Sequence, residues 1–377
     1  MATFDAIVVG GGLLGTCTAF QLVKRDVKTV LIDRANSGRA SDAGAGIISP
    51  ETSTRDSSVW FDFAIRAARY YPTLIEEIGQ HESGYAKCGL LKIAVSHEEL
   101  ETYEQTKTFL IERNRRRLGG RHNLHEISPN ETREIFPPVK DVVGALYNDD
   151  AARVDGRLLV KSILSVAKLE GLRVLNGSVN RLITTRGRVT GVKLGDDTLS
   201  AQHTVLACGA WTNSFQHQLG RTLPIEPQRG QIIHLFRKDI ETKSWPIVDG
   251  LRGHYIVAWP DHRVVVGATR ECGSGFEPCL TTSGVLEVLS EALRIAPGLA
   301  PWTVREMRVG LRPVSPDGLP ILGKVPGIEG AYLATGHGST GLTTGPYSAK
   351  LIADLILGRS LDVDISPFDA SRFLNNT

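Results

Sequence analysis

The chain opens with apolar runs broken by glycine. Phe4 to Val9 reads FDAIVV, the kind of short apolar stretch that a parallel sheet buries on both faces. Gly10-Gly11-Gly12-Leu13-Leu14-Gly15 interrupts it, and a helical stretch runs on to Lys24. A second apolar run, Thr29-Val30-Leu31-Ile32, then closes on Asp33. This pattern predicts strand, tight turn, helix, strand. Further on, Ser96-His97-Glu98-Glu99 and Ser128-Pro129-Asn130-Glu131 each place a serine three residues before a glutamate. Both spacings predict capping boxes, one opening a helix to about Leu118 and the other a shorter helix with proline first. Arg113 to Arg121 holds five arginines at the end of the longer helix, which reads as a solvated terminus complementing the helix dipole.

From residue 179 the period shifts to two. Val179 to Thr184, Val189 to Leu194 and Thr204 to Ala207 carry β-branched alternation, with turn residues between them. A second β group follows at Gln231 to Phe236, His254 to Trp259 and Arg263 to Ala268. With Leu90 to Val95 these are expected to form one antiparallel sheet. The last clear helix runs from about Thr343 to Leu357 and is stopped by Gly358. Nucleotide-type patterns occupy both ends of the chain, so the domains are expected to interleave.

Charge narrows the function classes. With 43 Lys and Arg against 41 Asp and Glu, the net charge of +2 excludes a strongly basic nucleic-acid footprint and an acidic tail. No apolar run approaches the ~18 residues of a membrane span. Five cysteines form no C-x-x-C pair and leave one over, which fits a reducing compartment. A nucleotide-type signature begins near the first residue, so no secretory leader is expected and the expected location is cytoplasmic.

Glycine changes the picture most. Of 39 glycines, residues 1–46 hold seven and residues 310–345 hold nine. Gly10-x-Gly12-x-x-Gly15 stands after a strand and before a helix, with an acid closing the next strand. Gly10 allows the turn, Gly12 lets a pyrophosphate approach, and Gly15 lets helix and strand pack closely. The helix start offers N–H groups to phosphate, and Asp33 can accept from a ribose. Ser41 to Ser49 is a second small-residue loop. Gly310-Leu311-Arg312-Pro313, Asp317 to Gly323 and Gly336-His337-Gly338-Ser339-Thr340-Gly341-Leu342 form a distant cluster that opens the last helix. Folding both glycine surfaces onto one extended cofactor puts a pyrophosphate at the first helix and an electron-accepting ring at the last.

In these motifs the chain resembles the D-amino-acid oxidase superfamily of FAD enzymes, and within it glycine oxidases and small D-amino-acid dehydrogenases. Ala207-Cys208-Gly209-Ala210-Trp211, Gly230-Gln231 and Tyr255 with Val265 to Thr269 carry the resemblance further, in order along the chain. It implies an α/β, Rossmann-like FAD domain over 1–80, 150–220 and 306–377. An antiparallel-sheet substrate domain is implied over 81–149 and 221–305, interleaved with the first. FAD would rest on Gly10, Gly12, Leu13, Leu14, Gly15, Asp33, Arg34, Ser41, Ala45, Gly46 and Ile47. Val179 and Gly209 would meet it in mid-chain, then His337, Gly338, Ser339, Thr340, Gly341 and Leu342. No cysteine stands in Val309 to Val314, where sarcosine oxidases attach the flavin, so FAD is expected to be held non-covalently.

Carried over residue by residue, Arg312 matches the arginine that grips the substrate carboxylate. A structural ion pair is its alternative reading. Tyr255 matches an active-site tyrosine, with plain core packing as the alternative, and His337 is either a flavin contact or a packed loop residue. Two positions depart from the pattern: Leu251 stands where some amino-acid oxidases have a tyrosine, and Ser339 where glycine oxidases have a second carboxylate-contacting arginine. The implied reaction is oxidation of glycine or a D-amino acid to the imino and then keto acid, by hydride transfer to flavin N5. It needs no strong base, and the sequence shows no metal cluster, Ser/His/Asp set or paired carboxylates. An N-methyl amino acid or 2-hydroxy acid is the alternative substrate, and a non-catalytic flavoprotein subunit the alternative role. The expected partners are a small carboxylate-bearing amine and oxygen or another electron acceptor. Nucleic acid is not expected, and the oligomeric state is left open, a homo-oligomer included.

Overall fold

A computed structural model describes residues 2–118, 124–220 and 222–373 of the chain. Ala2–Val9 and Thr29–Asp33 pair in parallel, with Val8 opposite Leu31, and the helix Leu13–Val23 lies between them in sequence. That helix is buried at every position except Leu14. A helix apolar all round must be enclosed, and this one packs between the helices Gly156–Leu169 and Gly341–Ile356. The first sheet runs in the order Val179–Thr185, Arg188–Leu194, Asp197–Leu206, Ala2–Val9, Thr29–Asp33, Arg173–Asn176. One side of Asp197–Leu206 is shared. Its first half pairs antiparallel with Arg188–Leu194, while Thr204 to Leu206 pair in parallel with Ala331–Thr335.

The second sheet runs Thr303–Val314, Glu226–Phe236, Arg263–Gly267, Tyr255–Trp259, Ile247–Gly250, Leu90–Ala94, Gly144–Asn148, Leu124–Glu126. It is mixed, not antiparallel throughout, because Leu90–Ala94 runs parallel to Ile247–Gly250. The long connection between those two strands leaves the chain free to re-enter in the same direction. The boundary placed at 306 cuts the strand Thr303–Val314, which pairs with Glu226–Phe236 from end to end. Residues 306–314 therefore lie in the second sheet. The glycine cluster that suggested otherwise begins on that strand and only then crosses to the first sheet, where Val314 bridges His337. A small third sheet of Ile47–Ile48, Ala152–Arg153 and Ala86–Lys87 joins the halves.

The two serine-capped helices differ. Ser128 and Glu131 form the reciprocal capping box before Pro129–Ile135. Ser96 makes no cap hydrogen bond. Buried Glu99 instead accepts from the Val95 amide at 2.9 Å and from Arg294 at 2.8 Å, and the regular helix begins only at Leu100. Arg252 also reaches Glu99, at 3.1 Å, and a carboxylate with two cationic neighbours gains more from them than from a cap. The last helix is Gly341–Ile356, and Gly358 follows it in the left-handed region at φ 66°. Among the described residues no helix is long and apolar enough to cross a membrane.

Candidate active site

The glycine turn is built by backbone contact. Gly10 has φ 107°, and a Cβ there would lie 2.3 Å from the Ala207 carbonyl oxygen at the end of the neighbouring strand. A Cβ at Gly15 would lie 1.9 Å from the Gly10 carbonyl oxygen, so that glycine sets how closely the helix returns on its strand. Gly12 stands at the N-cap with no side-chain cap of its own. The Leu13 amide donates to Ser41 Oγ at 2.9 Å, which ties the second small-residue loop to the helix start. Asp33 is held by Arg39, whose Nη1 donates to Oδ2 at 2.8 Å, and the same guanidinium reaches Asp42 at 2.9 Å.

These residues open onto one long cleft enclosing about 1680 Å³, its solvent-open part included. Gly10, Gly12, Leu13 and Leu14 wall it beside Asp33 and Arg34. Ser41, Ala45, Gly46 and Ile47 line it from the second loop, and Val179 and Gly209 from mid-chain. Tyr255, Arg312, His337, Gly338, Ser339, Gly341 and Leu342 close the wall from the other end of the chain. Gly15 and Thr340 are not on it. Gly15 is spent on packing, and the Thr340 hydroxyl turns back to donate to the His337 carbonyl at 2.9 Å. The start of the last helix is pinned from outside, where the buried Tyr71 hydroxyl donates to the Leu342 carbonyl. Thr343 Oγ1 donates to the Ile47 carbonyl at 3.1 Å.

Arg312 sits opposite Gln228 in the second sheet. Its Nη1 donates to Gln228 Oε1 at 3.1 Å and to the Thr269 carbonyl at 2.9 Å, so its protein partners are neutral. Burial pushes its pKa below the usual guanidinium value and nearby Arg270 adds to this, while Tyr255 opposes it. Tyr255 stands across from Gly267, where a Cβ would come within 3.2 Å of its hydroxyl. Burial raises the phenol's pKa, and the Arg312 charge pulls it back. Arg312 forms no ion pair among the described residues.

His337 is a buried loop residue that lines the cleft. Ser348 Oγ donates to the Thr344 carbonyl at 2.9 Å and lies 2.9 Å from His337 Nε2. Burial lowers the His337 pKa to about 4, with a weaker opposing contribution from the Thr335 backbone. The imidazole is neutral near pH 7.

Three arginines escaped the sequence reading. Arg270 lines the cleft directly after the Val265 to Thr269 motif, and its Nη1 donates to the Gly253 carbonyl at 2.8 Å. Arg55 reaches Ser339 Oγ at 3.4 Å from an aperiodic polar loop. Arg113, grouped with the solvated arginines, donates instead to the carbonyls of Ser53 at 2.6 Å and Glu51 at 2.8 Å, with its plane over Phe61. It fastens the loop that carries Arg55. Arg115, Arg116 and Arg117 are exposed as expected, and Arg121 lies outside the described residues.

Comparison with known proteins agrees with this geometry. Residues 5–355 match the family model described as DAO, FAD dependent oxidoreductase. The chain is 36% identical over 367 residues to the uncharacterized oxidoreductase YurR of Bacillus subtilis, covering 96% of this chain and 97% of that protein. It is 31% identical to a glycine oxidase of Pseudomonas putida, covering 97% of each. The crystal structure of iminodiacetate oxidase from Chelativorans sp. BNC1 superposes with a TM-score of 0.90 at 37% identity, over 97% of this chain and 98% of that one. The chain belongs to the DAO family of FAD-dependent oxidoreductases, and its fold is that of the amino-acid-oxidase type.

Proposed function

We propose that this protein oxidises the C–N bond of a small amino acid of the glycine or D-amino-acid type, giving the imino acid and then the keto acid. One observation carries the reading. Arg312 presents a guanidinium at the cleft wall with only neutral protein partners, so its charge is available to a substrate carboxylate.

The cleft suits FAD. Its walls near the first helix are glycine backbone, and at Gly209 and Gly338, both with positive φ, a Cβ would meet no protein atom within 4 Å. Such surfaces admit a flat ring and a pyrophosphate. Val309 to Val314 offer no cysteine, which supports non-covalent binding. Bound FAD supplies a two-electron acceptor for the hydrogen on the substrate Cα. The chain's own residues position that hydrogen: Arg312 fixes the carboxylate, and Tyr255 covers it from the second sheet. With the amine neutral, Cα–H leaves with its electron pair while the nitrogen lone pair forms C=N, and water then hydrolyses the imine. No side chain has to act as a strong base.

The first sheet and its helices would serve as the cofactor lobe and the second sheet as the substrate lobe, with Thr303–Val314 contributing to both. A second reading, oxidation of a secondary amine, is favoured by the 37% identity to a protein named iminodiacetate oxidase. The test is an anaerobic panel of glycine, D-amino acids, N-substituted glycines and 2-hydroxy acids, followed by admission of oxygen. Bleaching of the flavin by the amino acids is expected, and reoxidation in air identifies oxygen as the acceptor. Bleaching by hydroxy acids alone, or by nothing, overturns the reading.

A further inference from the structure

The cleft holds more positive charge than one carboxylate answers. Resting on the reading of the site as an amino-acid oxidase centre, we propose that Arg55 and Arg270 form a second carboxylate site beside Arg312. The substrate is then a dianionic amino acid, with its second carboxylate on either the nitrogen substituent or the side chain.

The arrangement of the three guanidinium groups carries this. Arg312 and Arg270 are both on the cleft wall, and Arg55 comes to the wall through Ser339 Oγ. Arg55 also donates to the Gly318 carbonyl at 3.0 Å and lies over the Trp60 ring at 5.0 Å, so it is braced on two sides. Its loop is held by Arg113, which takes the carbonyls of Ser53 and of Arg55 itself. All three arginines, two on the cleft wall and Arg55 just behind Ser339, bind carbonyl, hydroxyl or carboxamide oxygens, and among the described residues none has a carboxylate at ion-pair distance.

Acids close in sequence are already engaged. Glu271, next to Arg270, is held by Arg229 at 2.6 Å, and Asp317, next to Gly318, by Arg372 at 2.7 Å. Burial and Arg270 together weaken proton binding at both Arg55 and Arg312, as like charges at close range must. Like charges assembled without a counter-ion cost free energy that a bound anion recovers. A monocarboxylate on Arg312 would leave Arg55 and Arg270 unanswered, whereas the second carboxylate of a dianion lies between those two and offsets most of the cluster's charge. Because Arg55 is held in place before binding, little ordering cost is left to offset that gain.

The experiment uses the FAD-loaded enzyme and two ethers that lack an oxidisable amine, oxydiacetate and methoxyacetate, with perturbation of the flavin spectrum as the readout. Oxydiacetate is expected to bind at least about tenfold more tightly, the scale of one charge-assisted contact. Arg55→Gln and Arg270→Gln should close most of that gap. Arg55→Lys and Arg270→Lys, which keep the charge, should retain part of it, and an intact flavin spectrum reports that each variant has folded. Anaerobic reduction by iminodiacetate compared with N-methylglycine, and by D-aspartate compared with D-alanine, locates the second carboxylate on nitrogen or on the side chain. Equal binding of the two ethers, or a gap that neither glutamine variant alters, overturns the proposal. Failure of every amine to reduce the flavin would overturn the proposed function instead, and the ether comparison would still decide this one.

Discussion

The Arg312 guanidinium occupies the space left by the absent side chain of Gly230. A Cβ at Gly230 would lie 2.4 Å from Nη2 and 2.6 Å from the guanidinium carbon. The two residues are on adjacent strands of the second sheet, where Gly230 pairs with Gly310 and Gln228 with Arg312. The Arg312 guanidinium is thus aimed by a residue with no functional group of its own.

Gly230→Ala should therefore act as a specificity mutation. The added methyl displaces the guanidinium from Gln228 and Thr269, and KM for the carboxylate substrate should rise about tenfold or more, the loss of one charge-assisted contact. Steady-state kinetics beside the flavin absorbance checks this. An unchanged KM would show that Arg312 binds from another rotamer.

Arg312→Ala should raise KM more steeply than Gly230→Ala while the protein still purifies yellow. Arg312→Lys should recover only part of the loss, because an ammonium cannot make the paired contact of a planar guanidinium. Kinetics with the wild-type substrate that stay the same in the alanine variant would remove Arg312 from the site.

Arg113→Ala removes a cation that donates to the carbonyls of Ser53, Glu51, Arg55 and, at 3.4 Å, Pro50. Leaving those oxygens without their shared donor should cost about 2–4 kcal/mol. Denaturant unfolding measures that cost. Protease cleavage near residues 50–55 should also become faster.

Acid should destabilise the fold through two buried histidines. His337 is lowered to about 4 by burial, and His234 to about 3 by burial and the adjacent Arg308 and Arg263. Each folded pKa lies below the unfolded value near 6.5, so below that pH the unfolded chain binds more protons and stability falls. The loss should approach about 1.4 kcal/mol per pH unit per histidine between pH 6 and the folded pKa. Denaturant melts at pH 7 and pH 5 test it, and His234→Gln should flatten the slope.

What was legible in the sequence was what is local. The fingerprint from Gly10 to Asp33 could be read because each glycine answers to a neighbour within a single strand–turn–helix unit. Arg312, Tyr255 and His337 were expected from the family resemblance, and all three line the cleft. Arg55 was not found, since it comes from an aperiodic loop that a distant helix holds in place. Arg113, the holder, looked like one more exposed arginine in a charged run. The direction of Leu90–Ala94 and the failed cap at Ser96 were missed for a related reason. Both are set by partners far along the chain, Ile247–Gly250 in one case and Arg294 in the other.

The strand Ala331–Thr335 covers the second half of Asp197–Leu206 and leads into the last helix. In chain order it is the last strand of that sheet to be made. Until then the first sheet has an open edge at the strand whose end meets Gly10, and the cleft lacks a wall. A complete wall for the cofactor must therefore wait for that strand and the helix after it. A product truncated before residue 331 would carry the full dinucleotide fingerprint yet expose a β edge, fit for aggregation but not for holding FAD.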